Sequence, residues 1–283
     1  MTGPSRRGAR RVQDVSFAEL MELEPHGPDT WVGLAVEYPW VVRLFGGQVL
    51  AQGLRAGAHT VEADRPVHSL HAYFIRPGTP SEPIRYEVER LRDGGSFSTR
   101  AVVARQSAGA ILNLSLSFQT PEPEADVQLA TLPDDVPAPD DVRLEDTGWG
   151  RMLDRRAAPS RTGWAAHWIR LRADLGDDPV LQACGLAFMS DAAPTSAARS
   201  SHPDATGERV VDRDRFMGAS LDHAVWFHRP SRVDEWHWFD MASHGLTGGR
   251  GLTTGNVLTA SGVHVATVAQ EVLLRRKRSP GAR

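Results

Sequence analysis

Few side chains in this sequence point to chemistry by type and spacing alone. His68 and His71 stand three apart, and His223 and His228 five apart, each pair in a strand-like stretch. Odd spacings on a strand send the two rings to opposite faces, which disfavours a shared metal. Asp222-His223 reads as a structural strand pair. Cys184 is the single cysteine. Set among Leu181, Ala183 and Leu186 it reads as a packing residue, and its solitude excludes an internal disulfide and any multi-cysteine metal site. Gly248-Gly249-Arg250-Gly251 has the glycines of a phosphate loop, but it joins two strands and opens no helix, so a turn is expected. No G-x-S-x-G string occurs, against a serine-elbow hydrolase. Asp191 ends an apolar helical run just ahead of Pro194. Taken alone it is first a solvent-facing helix-end acid, and Ser220 and Gln270 are first strand polar groups facing solvent or satisfying backbone.

Composition narrows the classes. The 283 residues are 41% hydrophobic and 24% charged, with a formal net charge of −3, which excludes disorder, collagen and coiled coil. The length suits about two domains. No apolar run approaches the ~18 residues of a membrane helix. Arg6, Arg7, Arg10 and Arg11 are followed by no apolar stretch, so a secretory signal is not expected and a soluble, cytoplasmic protein is. Lys277 is the only lysine, leaving 31 of the 32 basic residues as arginine; codon bias explains this most simply. The near-neutral balance argues against nucleic acid as partner.

The elements that would have to position any site come twice. Ser69-Leu70-His71-Ala72-Tyr73-Phe74-Ile75-Arg76-Pro77 returns as Asp222-His223-Ala224-Val225-Trp226-Phe227-His228-Arg229-Pro230. Each copy continues with an alternating run (84–90, 235–242), a glycine turn (Gly94-Gly95, Gly248-Gly249) and two strands (96–105 with 110–118, 252–259 with 263–274), hairpinned at Gly109 and Gly262. One helix precedes each block. The first spans 46–58 and the second 179–190, where Asp177-Asp178-Pro179 supplies an acidic N-cap and an N-terminal proline. Ser16-Phe17-Ala18-Glu19 is a capping box opening a short helix through Leu23. Trp31 to Tyr38 is expected to add a strand. The expected organisation is a basic arm and short helix (1–30), a first repeat (31–120), an exposed, semi-rigid Pro- and acid-rich linker (121–145), a second repeat (146–275) and a basic tail (276–283). A helix burying one face of a twisted antiparallel sheet, twice over, is an α+β fold.

Four strings carry a resemblance: Phe45-Gly46-Gly47-Gln48, His68 to Gly78, Leu91-Arg92-Asp93-Gly94-Gly95-Ser96-Phe97, and Leu221 to Pro230. Together, over about Trp31 to Arg275, the chain resembles the type II acyl-CoA thioesterases, bacterial enzymes with peroxisomal relatives. The resemblance implies a double hotdog and cofactor-free hydrolysis of acyl-CoA to carboxylic acid and CoA, in fatty-acid metabolism. It implies a water activated by an Asp from a Ser-Asp pair, here Asp191, with a hydroxyl, here Ser220, and a Gln of the last strand, here Gln270. The sequence departs from the family at Ala192-Ala193-Pro194-Thr195 after the Asp and at Val272, which bears on chain-length preference.

The implied chemistry is reasonable from below. A free Asp, with pKa ~3.9, is a weak base that burial would strengthen. Ser220 and Gln270 can orient a water without taking its proton. The amides of Gly46 and Gly47, at a helix start, are candidate oxyanion donors. Aligning the copies sets Gly57 against Asp191, Val67 against Ser220 and Ser117 against Gln270, so one active site per chain is expected, between the halves. The edges of such a sheet favour a homo-oligomer, a dimer or dimer of dimers. The rival readings are a non-catalytic acyl-CoA-binding protein and, behind it, a hotdog enoyl-CoA hydratase or dehydratase.

Overall fold

The computed structural model describes residues 10–145, 148–159 and 161–277; Arg6, Arg7 and Arg278 of the basic ends lie outside them. The first half comprises β1 (Arg10–Arg11), α1 (Phe17–Met21), β2 (Leu23–Pro25), β3 (Thr30–Gly33), β4 (Val36–Glu37), α2 (Gly46–Ala58), β5 (Val67–Phe74), β6 (Ile84–Asp93), β7 (Phe97–Gln106) and β8 (Gly109–Gln119). The second comprises β9 (Leu153–Ala157), β10 (Trp164–Leu171), α3 (Pro179–Ser190), α4 (Pro194–Ser200), α5 (Arg209–Arg215), β11 (Phe216–Ser220), β12 (Asp222–Phe227), β13 (His237–Thr247), β14 (Arg250–Thr259) and β15 (His264–Arg276). Among the described residues all strands but β1 and β4 join one sheet, ordered β2-β3-β6-β7-β8-β5-β12-β15-β14-β13-β10-β9, with β11 also on β15. The halves fuse where β5 and β12 pair antiparallel, Tyr73 opposite Asp222 and Ser69 opposite Trp226.

The starts of both long helices are written in the chain. Asp178 caps α3 by accepting from the Val180 and Leu181 amides at 2.9 and 3.2 Å, with Pro179 following. Helix α2 opens directly from extended Phe45 with two glycines. Both helices pack against the sheet, α2 on β5 to β8 and α3 on β10 and β12. Leu50, Leu54, Tyr86, Leu114, Leu116, Phe188, Val225 and Val268 share one core across the halves. Each fully buried Leu there is worth about 1.5–3 kcal/mol. Alternation aims the strands: from Ala266 onward β15 buries Val268, Gln270, Val272 and Leu274 and turns the residues between outward.

The structure departs from the sequence reading in several places. A bulge between Val67 and Ser69 puts His68 against outward-facing Ser117 (2.7 Å) and Phe97, on the same face as His71 rather than the opposite one. No metal-ligating cluster forms there or elsewhere among the described residues. The capping box at Ser16 and Glu19 is present, but its helix ends at Met21 and Leu23 begins a strand. The linker is not wholly solvated: Gln128 bonds Gly262 O and His264 N, and Leu132 and Val136 pack on a second small core around Trp168 and Trp238. A cavity of about 640 Å³ beneath it is lined by Pro137, Trp164 and Trp238, and none of Asp191, Ser220, His223 or Gln270 reaches it. Strands β9 and β10, with helices α4 and α5, were not expected.

Candidate active site

Helices α2 and α3 run antiparallel, and their ends meet head to tail. At one end Arg55 of α2 faces Asp178, the cap of α3, at 3.6 Å. At the other, the first turn of α2 meets Asp191, which closes the last turn of α3. The approach is close enough that only glycine fits: a Cβ on Gly46 would lie 2.6 Å from Asp191 Oδ2 and 2.8 Å from the Phe74 ring.

Asp191 is 8% exposed, so it is not the solvent-facing acid that its place at a helix end allowed. Its two oxygens are held from two sides. Gly47 N–H donates to Oδ2 at 2.9 Å and the Ser220 hydroxyl to Oδ1 at 2.8 Å. Gln270 Nε2 donates to Ser220 Oγ at 3.0 Å. The three residues named from the sequence are therefore contiguous, although they come from the end of α3, the end of β11 and the middle of β15. Of the two glycines expected to serve an oxyanion, Gly47 has its N–H engaged by the carboxylate. It is the carboxylate that Gly47 holds, because the dipole of α2 points its positive end there. Gly46 lies beside the same oxygen.

Burial pushes the Asp191 carboxyl up to about 6, against the downward pull of Ser220, the Gly47 amide, Arg43 and Gln270. Arg43 is itself anchored on Gly218 O at 2.7 Å, two residues before Ser220. An aromatic wall flanks the glycine pair: Phe45 packs edge-on against Phe188 at 5.1 Å and Trp149 at 4.9 Å, with Tyr38 at 5.6 Å. The arrangement offers a poised carboxylate, a hydroxyl and an amide beside apolar surface, which suits deprotonating a water next to a weakly polar substrate.

His223 was missed. Read from the sequence as half of a structural strand pair, it is 1% exposed and joins the same network. Its Nδ1 lies 2.5 Å from Gln270 Oε1 and its Nε2 2.7 Å from Ser190 Oγ. Only Asp222 behaves as that reading expected, accepting from the Glu271 amide at 2.6 Å. The repeat held the signal: His223 aligns with Leu70, a polar residue at an inward position where the first copy is apolar.

The ladders also correct the alignment of the copies. His71 pairs with Ser115 and Leu70 with Leu116, while Ala224 pairs with Ala269. One step along, Gln270 corresponds to Leu116, not Ser117. The first half therefore carries Ala56, Gly57, Val67, Leu70 and Leu116 where the second carries Ser190, Asp191, Ser220, His223 and Gln270. Leu116 occupies the space that a side chain on Gly57 would need, so the equivalent place is filled with hydrocarbon.

Comparison with known proteins bears on the chain as a whole. The description "Acyl-CoA thioesterase N-terminal domain" matches residues 36–119, and "Acyl-CoA thioesterase C-terminal domain" matches 124–274. Acyl-coenzyme A thioesterase 8 of Mus musculus is 35% identical, covering 94% of this chain and 91% of that protein. Acyl-CoA thioesterase 2 of Haemophilus influenzae is 33% identical over 82% of this chain and 88% of that one. The crystal structure of an acyl-CoA thioesterase II from Mycobacterium marinum superposes with a TM-score of 0.80 at 37% identity, covering 93% of this chain and 99% of that one. With the repeated fold and these matches over nearly its whole length, the chain belongs to the acyl-CoA thioesterase family and is a thioester hydrolase built on a double hotdog.

Proposed function

We propose that the chain hydrolyses acyl-CoA thioesters at the Asp191, Ser220 and Gln270 cluster, one site per chain, with repeats at 31–120 and 146–275. A water bound to Ser220 and Gln270 gives a proton to Asp191 as its oxygen attacks the thioester carbonyl carbon. With the Gly47 N–H given to Asp191, the Gly46 amide at the start of α2 is the donor to the oxygen that becomes negative. Collapse of the tetrahedral intermediate breaks the C–S bond, and the departing sulfur recovers the proton from Asp191. The products are a carboxylic acid and CoA. The observation that carries this reading is the buried Asp191 carboxylate, held at both oxygens and raised to about 6, where a positioned base contributes about 10²–10⁴-fold.

The wider setting we propose is fatty-acid metabolism, as the family implies, in the cytoplasm. No helix among the described residues is long and apolar enough to cross a membrane. Self-association is supported by Tyr73 and Trp226, 68% and 37% exposed on the outer face at the seam between halves.

Release of free CoA thiol from acyl-CoAs of graded chain length, by the wild type and Asp191→Asn, tests the reading. Turnover by the wild type and a loss of at least about 10²-fold in the variant are expected. Undiminished turnover in the variant would move the base elsewhere. Tight acyl-CoA binding without thiol release from either protein would make the chain a binder.

A further inference from the structure

We infer that His223 is a positioning residue, which, anchored by Ser190, holds the Gln270 amide with its NH2 toward Ser220 and the reacting water. The inference rests on the catalytic reading of Asp191 and Gln270, and it follows from counting hydrogens along the chain of contacts.

An ionised carboxylate only accepts. Asp191 Oδ1 therefore takes the single Ser220 hydroxyl proton. Ser220 Oγ is then free only to accept from Gln270, so the amide must present Nε2–H at 3.0 Å. That turns Gln270 Oε1 toward His223, and an amide oxygen only accepts, so His223 Nδ1 must carry the ring hydrogen at 2.5 Å. Burial lowers His223 to about 4, so the ring is neutral in the working range and has no second hydrogen. Its Nε2 must accept, and the donor is the Ser190 hydroxyl at 2.7 Å. Every bond then points the same way, from Ser190 through His223, Gln270 and Ser220 to Asp191. The opposite tautomer would send the Ser190 proton to Ala187 O, which lies 2.8 Å away. It would turn Gln270 Oε1 onto Ser220 Oγ, leaving one hydroxyl proton to serve two acceptors.

Packing alone does not ask for an imidazole here. In the first half the corresponding positions are Leu70, Ala56 and Leu116, all buried, and that half folds around them. The ring is retained where the amide must be oriented and absent where there is no amide to orient.

The test measures kcat and KM by thiol release for His223→Leu, His223→Asn, Gln270→Ala and the double variant His223→Leu/Gln270→Ala, beside Asp191→Asn. His223→Leu should lower kcat by about 10- to 100-fold, the effect of deleting an outer hydrogen-bonding partner, with KM nearly unchanged. His223→Asn, which returns an N–H near the place of Nδ1, should recover most of the loss. In the Gln270→Ala background His223→Leu should cost nothing further, since the two act as one unit. Wild-type kcat in His223→Leu, an equal loss in both backgrounds, or an Asn variant as poor as Leu would each overturn the inference. Full activity in both Asp191→Asn and Gln270→Ala would instead overturn the catalytic reading beneath it. Selective ¹⁵N labelling of histidine in the wild type supplies a readout that needs no variant: Nδ1 protonated and Nε2 bare at neutral pH is expected, and the reverse tautomer would sink the idea.

Discussion

Asp191 is held between opposing forces, and both leave measurable traces. Burial raises its carboxyl to about 6 while four polar neighbours pull downward. A base must be ionised to take a proton, so Asp191 in its proposed role should make kcat rise with pH through about 6 and flatten above it; a profile flat from pH 5 to 8 would contradict the assignment. The same shift is a stability term. A folded pKa raised by about two units above the ordinary value means that the charged form costs about 3 kcal/mol in the native state. That cost is present above about pH 6 and vanishes below the unfolded value near 4. Asp191→Asn should therefore be inactive yet melt higher than the wild type at pH 7, with the advantage fading as the pH falls to 4. Equal melting temperatures at pH 7 would mean that the carboxylate is better solvated than its 8% exposure implies.

At the level of elements, the proposed site depends on how closely the first turn of α2 approaches the last turn of α3. Gly46→Ala drives a methyl into Asp191 Oδ2 and the Phe74 ring, and a misplacement near 1 Å costs about 10²-fold in rate. Gly53→Ala is the control, since its Cβ meets Leu114 and Tyr86 in the core, away from the carboxylate. It should shift the melting temperature and spare kcat, whereas equal activity in the two variants would show that the helix contact does not set the site. The helices themselves were legible: the Asp178 cap and the small-residue run after Phe45 mark both starts. Strands β9 and β10 were not, because both their faces are covered, one by the core and one by the linker. Leu153, Asp154 and Arg155 are buried in succession, as are Ala165 to Ile169, so the alternation that marks a half-exposed strand is absent. The grouping of Asp191, Ser220 and Gln270 was legible only through long family strings. His223 was not, because alternation tells which face a residue takes and not which polar atoms await it there.

For the whole molecule, the duplicated sheet was readable from repeated strings, but its register slipped by one. The reason is local. The first hairpin closes Gln106 on Gly109, with two residues between. The second closes Thr259 on Val263, with three. Copies aligned on their first strand are therefore one residue out on their last, and one residue on a strand changes the face. The seam between the copies has a consequence for assembly. The β5–β12 ladder and the α2–α3 contact join the halves in addition to the covalent connection. A chain cut after Glu122 should behave as a split enzyme. Fragments 1–122 and 123–283, expressed together, should copurify and release thiol, while each alone exposes its seam strand to aggregation and turns nothing over. Fragments that fail to copurify would show that the tether, not the interface, holds the halves in register. If they do assemble, turnover itself becomes the signal that two separate polypeptides have found each other, because neither piece contains both Gly47 and Asp191.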